Sequence, residues 1–201
     1  MGKFRNIINL YSLEDYLNIV EQENPSNNKP YHNLYHIKCM TSIAHRIACS
    51  EDLRFVDTRN IMLAGLFHDF GYYSKIDAEN IVRAIEAFEK YSKETDDVNK
   101  EVINNIKATQ YPYVINSSEL TLSQKIMRDA DLLQWTKKNF IKQVIIGLSD
   151  EMGLTLEKLI EGQKKFMLNM NFHTPMGQRI YDRNIKEKLK ELEDFKQSLN
   201  L

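Results

Sequence analysis

Apolar residues recur along this chain at three- and four-residue intervals, the spacing of one face of a helix. Ser12, followed by Glu14 and Asp15, predicts an N-cap and a first helix to about residue 22, with Leu13, Tyr16, Leu17 and Val20 inward. A polar stretch over 23–29 breaks the pattern. It resumes over 33–49 with His36, Met40, Ile43 and Ile47 on one face. Thr58 predicts the cap of a helix bearing Ile61, Met62, Ala64 and Phe67, which delivers His68 and Asp69 and is closed by Gly71. Asp77 then caps a helix to Tyr91 with a stripe of Ile81, Val82, Ile85 and Phe88. The next helix, carrying Val98, Val102, Ile103 and Ile106, stops before Tyr111-Pro112, because proline disfavours the helical conformation in its predecessor. Thr121 and Gln124 form a capping-box pattern ahead of Leu122, Ile126, Met127 and Ala130. Two helices follow over 137–148 and 155–170, separated by a turn at 149–153. Thr174-Pro175 opens the last, with Ile185, Leu189, Leu192 and Phe195 inward and lysines and glutamates outward.

Composition narrows the fold class. Seven glycines and four prolines are too few to punctuate the many short strands of a sandwich or barrel. The expectation is a compact, all-α, single-domain helical bundle over 1–201. Its core would span about 30–135, with the helices over 137–200 completing the bundle. Lys plus Arg is 27 against 28 Asp plus Glu, a net charge of -1. That argues against dedicated nucleic-acid binding and leaves small anionic substrates open. Cys39 and Cys49 lie on one predicted helix, about 15 Å apart, and cannot bridge each other. The first ten residues lack a signal-peptide core, and no run of about 18 apolar residues exists. A soluble, cytoplasmic protein with no membrane partner is expected, and a homo-oligomer is left open.

Chemistry is concentrated where polar residues interrupt apolar faces. His68-Asp69 ends a run of apolar residues and joins an imidazole to a carboxylate, ligands suited to a divalent ion such as Mn, Fe, Ni, Co, Zn or Mg. Taken alone, such a pair is more often a hydrogen-bonded helix terminus than a pair of ligands. His36 shares the core face of its helix, and His32 lies one turn earlier. Asp131 is followed at once by Leu132 and Leu133, where an aspartate is costly unless paired, protonated or metal-bound. Its neighbour Asp129 reads as turned to solvent or paired with Arg128.

Taken in order, His36, His68-Asp69 and Asp131 resemble the ligand pattern His, His-Asp, Asp of the HD superfamily of metal-dependent phosphohydrolases, over about 30–133. The resemblance implies a metal site formed by His36, His68, Asp69 and Asp131 between helices. One tight ion is implied, with Asp69 able to bridge to a second, labile one. Tyr31-His32-Asn33 and His36 also resemble the Tyr-His-Asn-x-x-His element of cyclic nucleotide phosphodiesterases, which makes His32 the implied proton donor. The chain is much shorter than that family's catalytic domain, and Phe70-Gly71 replaces its His-Pro-Gly continuation. It is also similar to small predicted HD phosphohydrolases.

The implied activity is hydrolysis of a phosphate ester of a small metabolite, a nucleotide for preference, by metal-activated water, with His32 and Asp69 catalytic. The alternatives are a phosphodiesterase of cyclic nucleotides or short cyclic oligonucleotides, and a catalytically silent binding module with a structural metal. For substrate contacts, Lys75, Arg128, Tyr72 and Glu79 are candidates. The lysine and arginine would meet phosphate and the tyrosine a base. Tyr35, Tyr111, Tyr113 and Trp135 are further stacking candidates, and Glu79, with Asp77, reads also as a helix-opening acid.

Overall fold

In the computed structural model, which describes residues 2–201, the helical periodicity becomes ten α-helices with no strand among the described residues. They are α1 (Gly2–Leu10), α2 (Glu14–Glu23), α3 (Leu34–Ser50), α4 (Phe55–Phe67), α5 (Asp77–Tyr91), α6 (Asp96–Lys107), α7 (Leu122–Leu132), α8 (Gly147–Met152), α9 (Leu156–Leu168) and α10 (Pro175–Ser198). α4 lies at the centre, packed against α3, α6 and α7, and every residue from Asn60 to Phe67 is buried. Gly65 lets α3 approach closely. A Cβ there would lie 2.9 Å from Thr41 Oγ1.

Several elements begin where the sequence indicates, because their caps are local. Asn33 caps α3, its Oδ1 accepting from the amides of Tyr35 and His36 at 2.9 and 3.1 Å. Thr121 and Gln124 make the reciprocal capping box of α7, Thr155 caps α9, and Thr174 caps α10 with Pro175 in its first turn.

Elsewhere the structure corrects the local reading. Gly2–Leu10 is an additional helix, held by Ile8 in the core. Ser12 is not a cap; it adopts a left-handed φ of 52° between α1 and α2, and Leu13 precedes the helix. Thr58 is buried inside α4, which starts three residues earlier at Phe55. Val82 is 55% exposed and leaves the stripe of α5. The expected helix over 137–148 is replaced by a π-helical turn at Ile141–Ile146 running into α8, which continues to Met152 and ends at left-handed Gly153. Burial of Val144 and Ile145 decides that stretch more than backbone propensity does.

Candidate active site

The close crossing of α3 and α4 brings His36, in the first turn of α3, against His68, at the end of α4. Their Nε2 atoms are 3.0 Å apart. The turn after α4 holds Asp69 beside them. Gly71 N donates to Asn24 Oδ1 at 2.8 Å, Ser26 Oγ donates to Asp69 O at 3.2 Å, and Gly71 takes a left-handed φ of 75°. Asp69 Oδ2 thereby lies 2.9 Å from Nε2 of His36 and 3.1 Å from Nε2 of His68. Asp131, near the end of α7, places Oδ1 3.2 Å from His36 Nε2 and 3.8 Å from His68 Nε2.

The ring orientations show what this cluster can hold. His36 Nδ1 is bonded to Gln134 Oε1, and His68 Nδ1 donates to the Gly65 carbonyl at 2.9 Å. With those protons on Nδ1, both Nε2 atoms present lone pairs to each other and to a carboxylate. Asp69 Oδ2 is buried and has no hydrogen bond. Three electron-rich atoms converging without a proton between them repel unless a cation sits among them, and His36, His68 and Asp69 fit a metal site. The two carboxylates draw positive charge to this point, whether a proton or a metal ion. Burial works against a charged His36, yet Asp131 and Asp69 raise its pKa to about 10. Burial likewise opposes a charged His68, which Asp69 and Asp131 raise. Burial disfavours the Asp69 carboxylate, yet the two histidines hold it well below the usual range.

His32 stands at the edge of the cluster. Its ring stacks on Tyr72 at a centroid distance of 3.5 Å and an interplanar angle of 11°. Its Nδ1 is 2.6 Å from Glu151 Oε1, and Glu151 Oε2 accepts from the amides of Tyr31 and His32 at 3.0 and 3.2 Å. Glu151 reaches them because Gly147 lets α8 pack on the Pro30 backbone. A Cβ at 147 would lie 2.7 Å from the Pro30 carbonyl oxygen. The sequence reading missed Glu151, and no local signal separates it from Glu157 or Glu161.

A cleft of about 280 Å³ opens over the cluster, bounded by His32, Asp69, Tyr72 and Asp131 on one side and by Tyr111, Tyr113 and α9 on the other. Of the residues read as substrate contacts, Tyr72 and Lys75 line it, with Lys75 Nζ donating to the Met152 carbonyl at 3.4 Å. Asp77, Tyr111, Tyr113 and Trp135 also border it. Arg128 does not reach it. Its guanidinium is buried, donating to the carbonyls of Ala108 and Ile115 at 2.8 and 2.9 Å and lying 3.9 Å from the Tyr113 ring, so it builds the cleft wall. Glu79 is exposed outside the cleft, 3.4 Å from the Tyr73 hydroxyl. Asp129 is neither solvated nor paired with Arg128. It is fully buried and accepts from His173 N, Thr174 N and Thr174 Oγ1, which ties α7 to the start of α10. The loop before α10 supplies those donors, and the sequence next to Asp129 gives no hint of them.

Comparison with known proteins agrees with this architecture. A search of curated proteins finds no match to the sequence. Among solved structures, the fold is similar to that of a protein described as a predicted HD superfamily hydrolase from an uncultured Thermotogales bacterium. The TM-score is 0.56 and the identity 16%, over 93% of this chain and 92% of that one. The family model for the HD domain matches residues 33–136, which begin at the cap of α3, contain both histidines and both aspartates of the cluster, and end just past Gln134. With that match over half its length, the chain belongs to the HD-domain family, whose general activity is metal-dependent phosphohydrolysis.

Proposed function

We propose that this protein hydrolyses a phosphate ester of a small metabolite, a nucleotide for preference, with His36, His68, Asp69 and Asp131 holding a divalent metal and His32 supplying the leaving-group proton. The observation that carries the reading is the convergence of two lone-pair nitrogens and an unpartnered carboxylate oxygen at the floor of the cleft that His32 borders. The donor atoms of His36, His68 and Asp69 lie 2.9, 3.0 and 3.1 Å from one another, close enough that one divalent ion would meet all three. A set of two imidazoles and two carboxylates suits a transition ion such as manganese, iron, nickel, cobalt or zinc. When bound, such an ion acidifies water and offsets charge on phosphorus.

The protein groups carry the rest. Gln134 and the Gly65 carbonyl fix the imidazole tautomers, so the ligand nitrogens need no reorientation. Glu151 holds His32 through Nδ1, which leaves Nε2 as the nitrogen to donate to a departing alkoxide. The Tyr72 ring fixes the plane of that imidazole. Lys75 sits at the rim to meet a phosphate oxygen.

The test is turnover of a panel of phosphate monoesters and diesters by protein purified without chelator and assayed with manganese. Activity is expected to vanish on chelation and to return with the metal. Full activity in metal-free protein would end the proposal.

A further inference from the structure

We propose that Arg128 and Asp77 are positioning residues that set the width of the cleft, and with it the size of ester group accepted, by holding the loop over 109–115 in place as a wall. This rests on the preceding reading of the cleft floor as the place where a phosphate ester is held.

Thr109, Tyr111 and Tyr113 of this loop line the cleft, and residues 109–115 contain no helix or strand. Tyr111, Tyr113 and Val114 are exposed, so burial in the core does not hold the loop where it stands. From Tyr111 to Ile115 its main chain makes two hydrogen bonds among the described residues, each to a side chain of another element. At the tip, Tyr111 N donates to Oδ2 of Asp77, the first residue of α5, at 2.6 Å. At the base, Arg128 donates from Nη2 to the Ile115 carbonyl at 2.9 Å and from Nε to the Ala108 carbonyl at 2.8 Å. One buried guanidinium therefore ties both ends of the loop together, and it also lies 3.9 Å from the Tyr113 ring.

The anchors are matched to their tasks. A planar guanidinium donates in two directions from one rigid fork, which an ammonium cannot do. Arg128 sits one turn before Asp131 on α7, so the wall and the floor are referenced to the same helix. Asp77 serves the loop as an acceptor, a part that a neutral amide oxygen can also play. A segment held by so few contacts opens at low free energy, so removing either anchor loosens the wall without unfolding the bundle. A ligand that reaches the wall must then order the loop as it binds, and its affinity falls by that cost. A ligand that stays on the floor is spared.

The decisive experiment is calorimetric binding of two phosphonates, which the protein cannot hydrolyse, to the manganese-loaded chain. Methylphosphonate occupies the floor alone, whereas 1-naphthylmethylphosphonate extends to the wall. The wild type should bind the naphthyl compound roughly ten-fold tighter or more, because its rings leave water. Arg128→Lys, which keeps the charge and loses the fork, should cut that preference by roughly three- to ten-fold and leave methylphosphonate binding within about two-fold of wild type. Asp77→Ala should do the same. Asp77→Asn, which keeps an acceptor for Tyr111 N, should recover most of the preference lost in Asp77→Ala. The Asp77 pair decides the matter if Arg128→Lys does not fold. No preference in the wild type, an unchanged preference in folded variants, parallel losses for both ligands, or Asp77→Asn as weak as Asp77→Ala would overturn the inference. Manganese-dependent binding of methylphosphonate reports on the floor by itself. If it is present and the preference ignores both residues, the reading of the floor stands and this inference falls. If neither phosphonate binds, both fall. A preference lost in the variants, without turnover of any ester by the wild type, supports the positioning role and removes the hydrolase reading.

Discussion

Nδ1 of His32 lies 2.6 Å from Oε1 of Glu151, a contact across 119 residues that fixes which imidazole nitrogen faces the cleft. Burial works against the Glu151 carboxylate, but its bonds from His32 and from the Tyr31 and His32 amides lower its pKa, so it stays ionised as an acceptor. If His32 is the proton donor, His32→Ala should keep its metal and lose roughly 10²- to 10⁴-fold in turnover of an alkyl phosphate, the usual worth of a positioned acid. p-Nitrophenyl esters, whose leaving group is stable as an anion, should suffer little. Glu151→Gln should shift activity in the same leaving-group-dependent sense but less. Equal losses for good and poor leaving groups would remove His32 from the chemistry.

The metal cluster makes a separate prediction. Asp69→Ala and His68→Ala should lose the transition metal that elemental analysis finds in wild-type protein at half an equivalent or more. They should also lose the thermal stabilisation that added metal gives the wild type, because ion binding is linked to folding. Unchanged metal content in either variant would refute the assignment.

Two aspartates of one helix should separate cleanly. Asp131→Asn should abolish turnover and weaken metal retention, with a melting temperature in chelator close to that of the wild type in chelator. Asp129→Asn should retain metal. It should cost roughly 1–3 kcal/mol of stability, because its new amide turns a donor toward the donors of His173 and Thr174. Thermal melts and metal analysis of both variants check this.

Away from the site, Glu94 accepts from Arg59 Nη1 and Nη2 at 3.0 and 2.8 Å and from the Tyr16 hydroxyl at 2.8 Å, joining α2, α4 and the link before α6. Arg59 lowers its pKa, against the effect of burial. A lowered folded-state pKa stabilises the fold above the unfolded value, about 4.3 for glutamate, and that contribution is lost as pH falls through the folded value. Glu94→Gln should therefore melt below wild type near neutral pH, and the gap should close in acid. A gap independent of pH would mean that packing alone accounts for the loss.

The sequence by itself determined the helical class, the starts of α3, α7, α9 and α10 and the His68-Asp69 pair, because each is written within a few residues, whereas joining that pair to His36 and Asp131 rested on the resemblance to the HD superfamily. Asn33, Thr121, Thr155 and Thr174 cap their own helices. His68 and Asp69 are adjacent, with Gly71 supplying the left-handed turn two positions on. Tertiary structure decided what surrounds that cluster. Arg128 looked like a phosphate contact, but the carbonyls of Ala108 and Ile115 take its guanidinium. Asp129 looked solvent-facing, but the backbone before α10 supplies its donors. Glu151 carries no local mark, since it becomes a partner of His32 only when Gly147 lets α8 meet Pro30. The physical reason is range: caps and turns are settled by hydrogen bonds to nearby backbone, whereas a buried charge or amide takes its role from whatever packing sets opposite it.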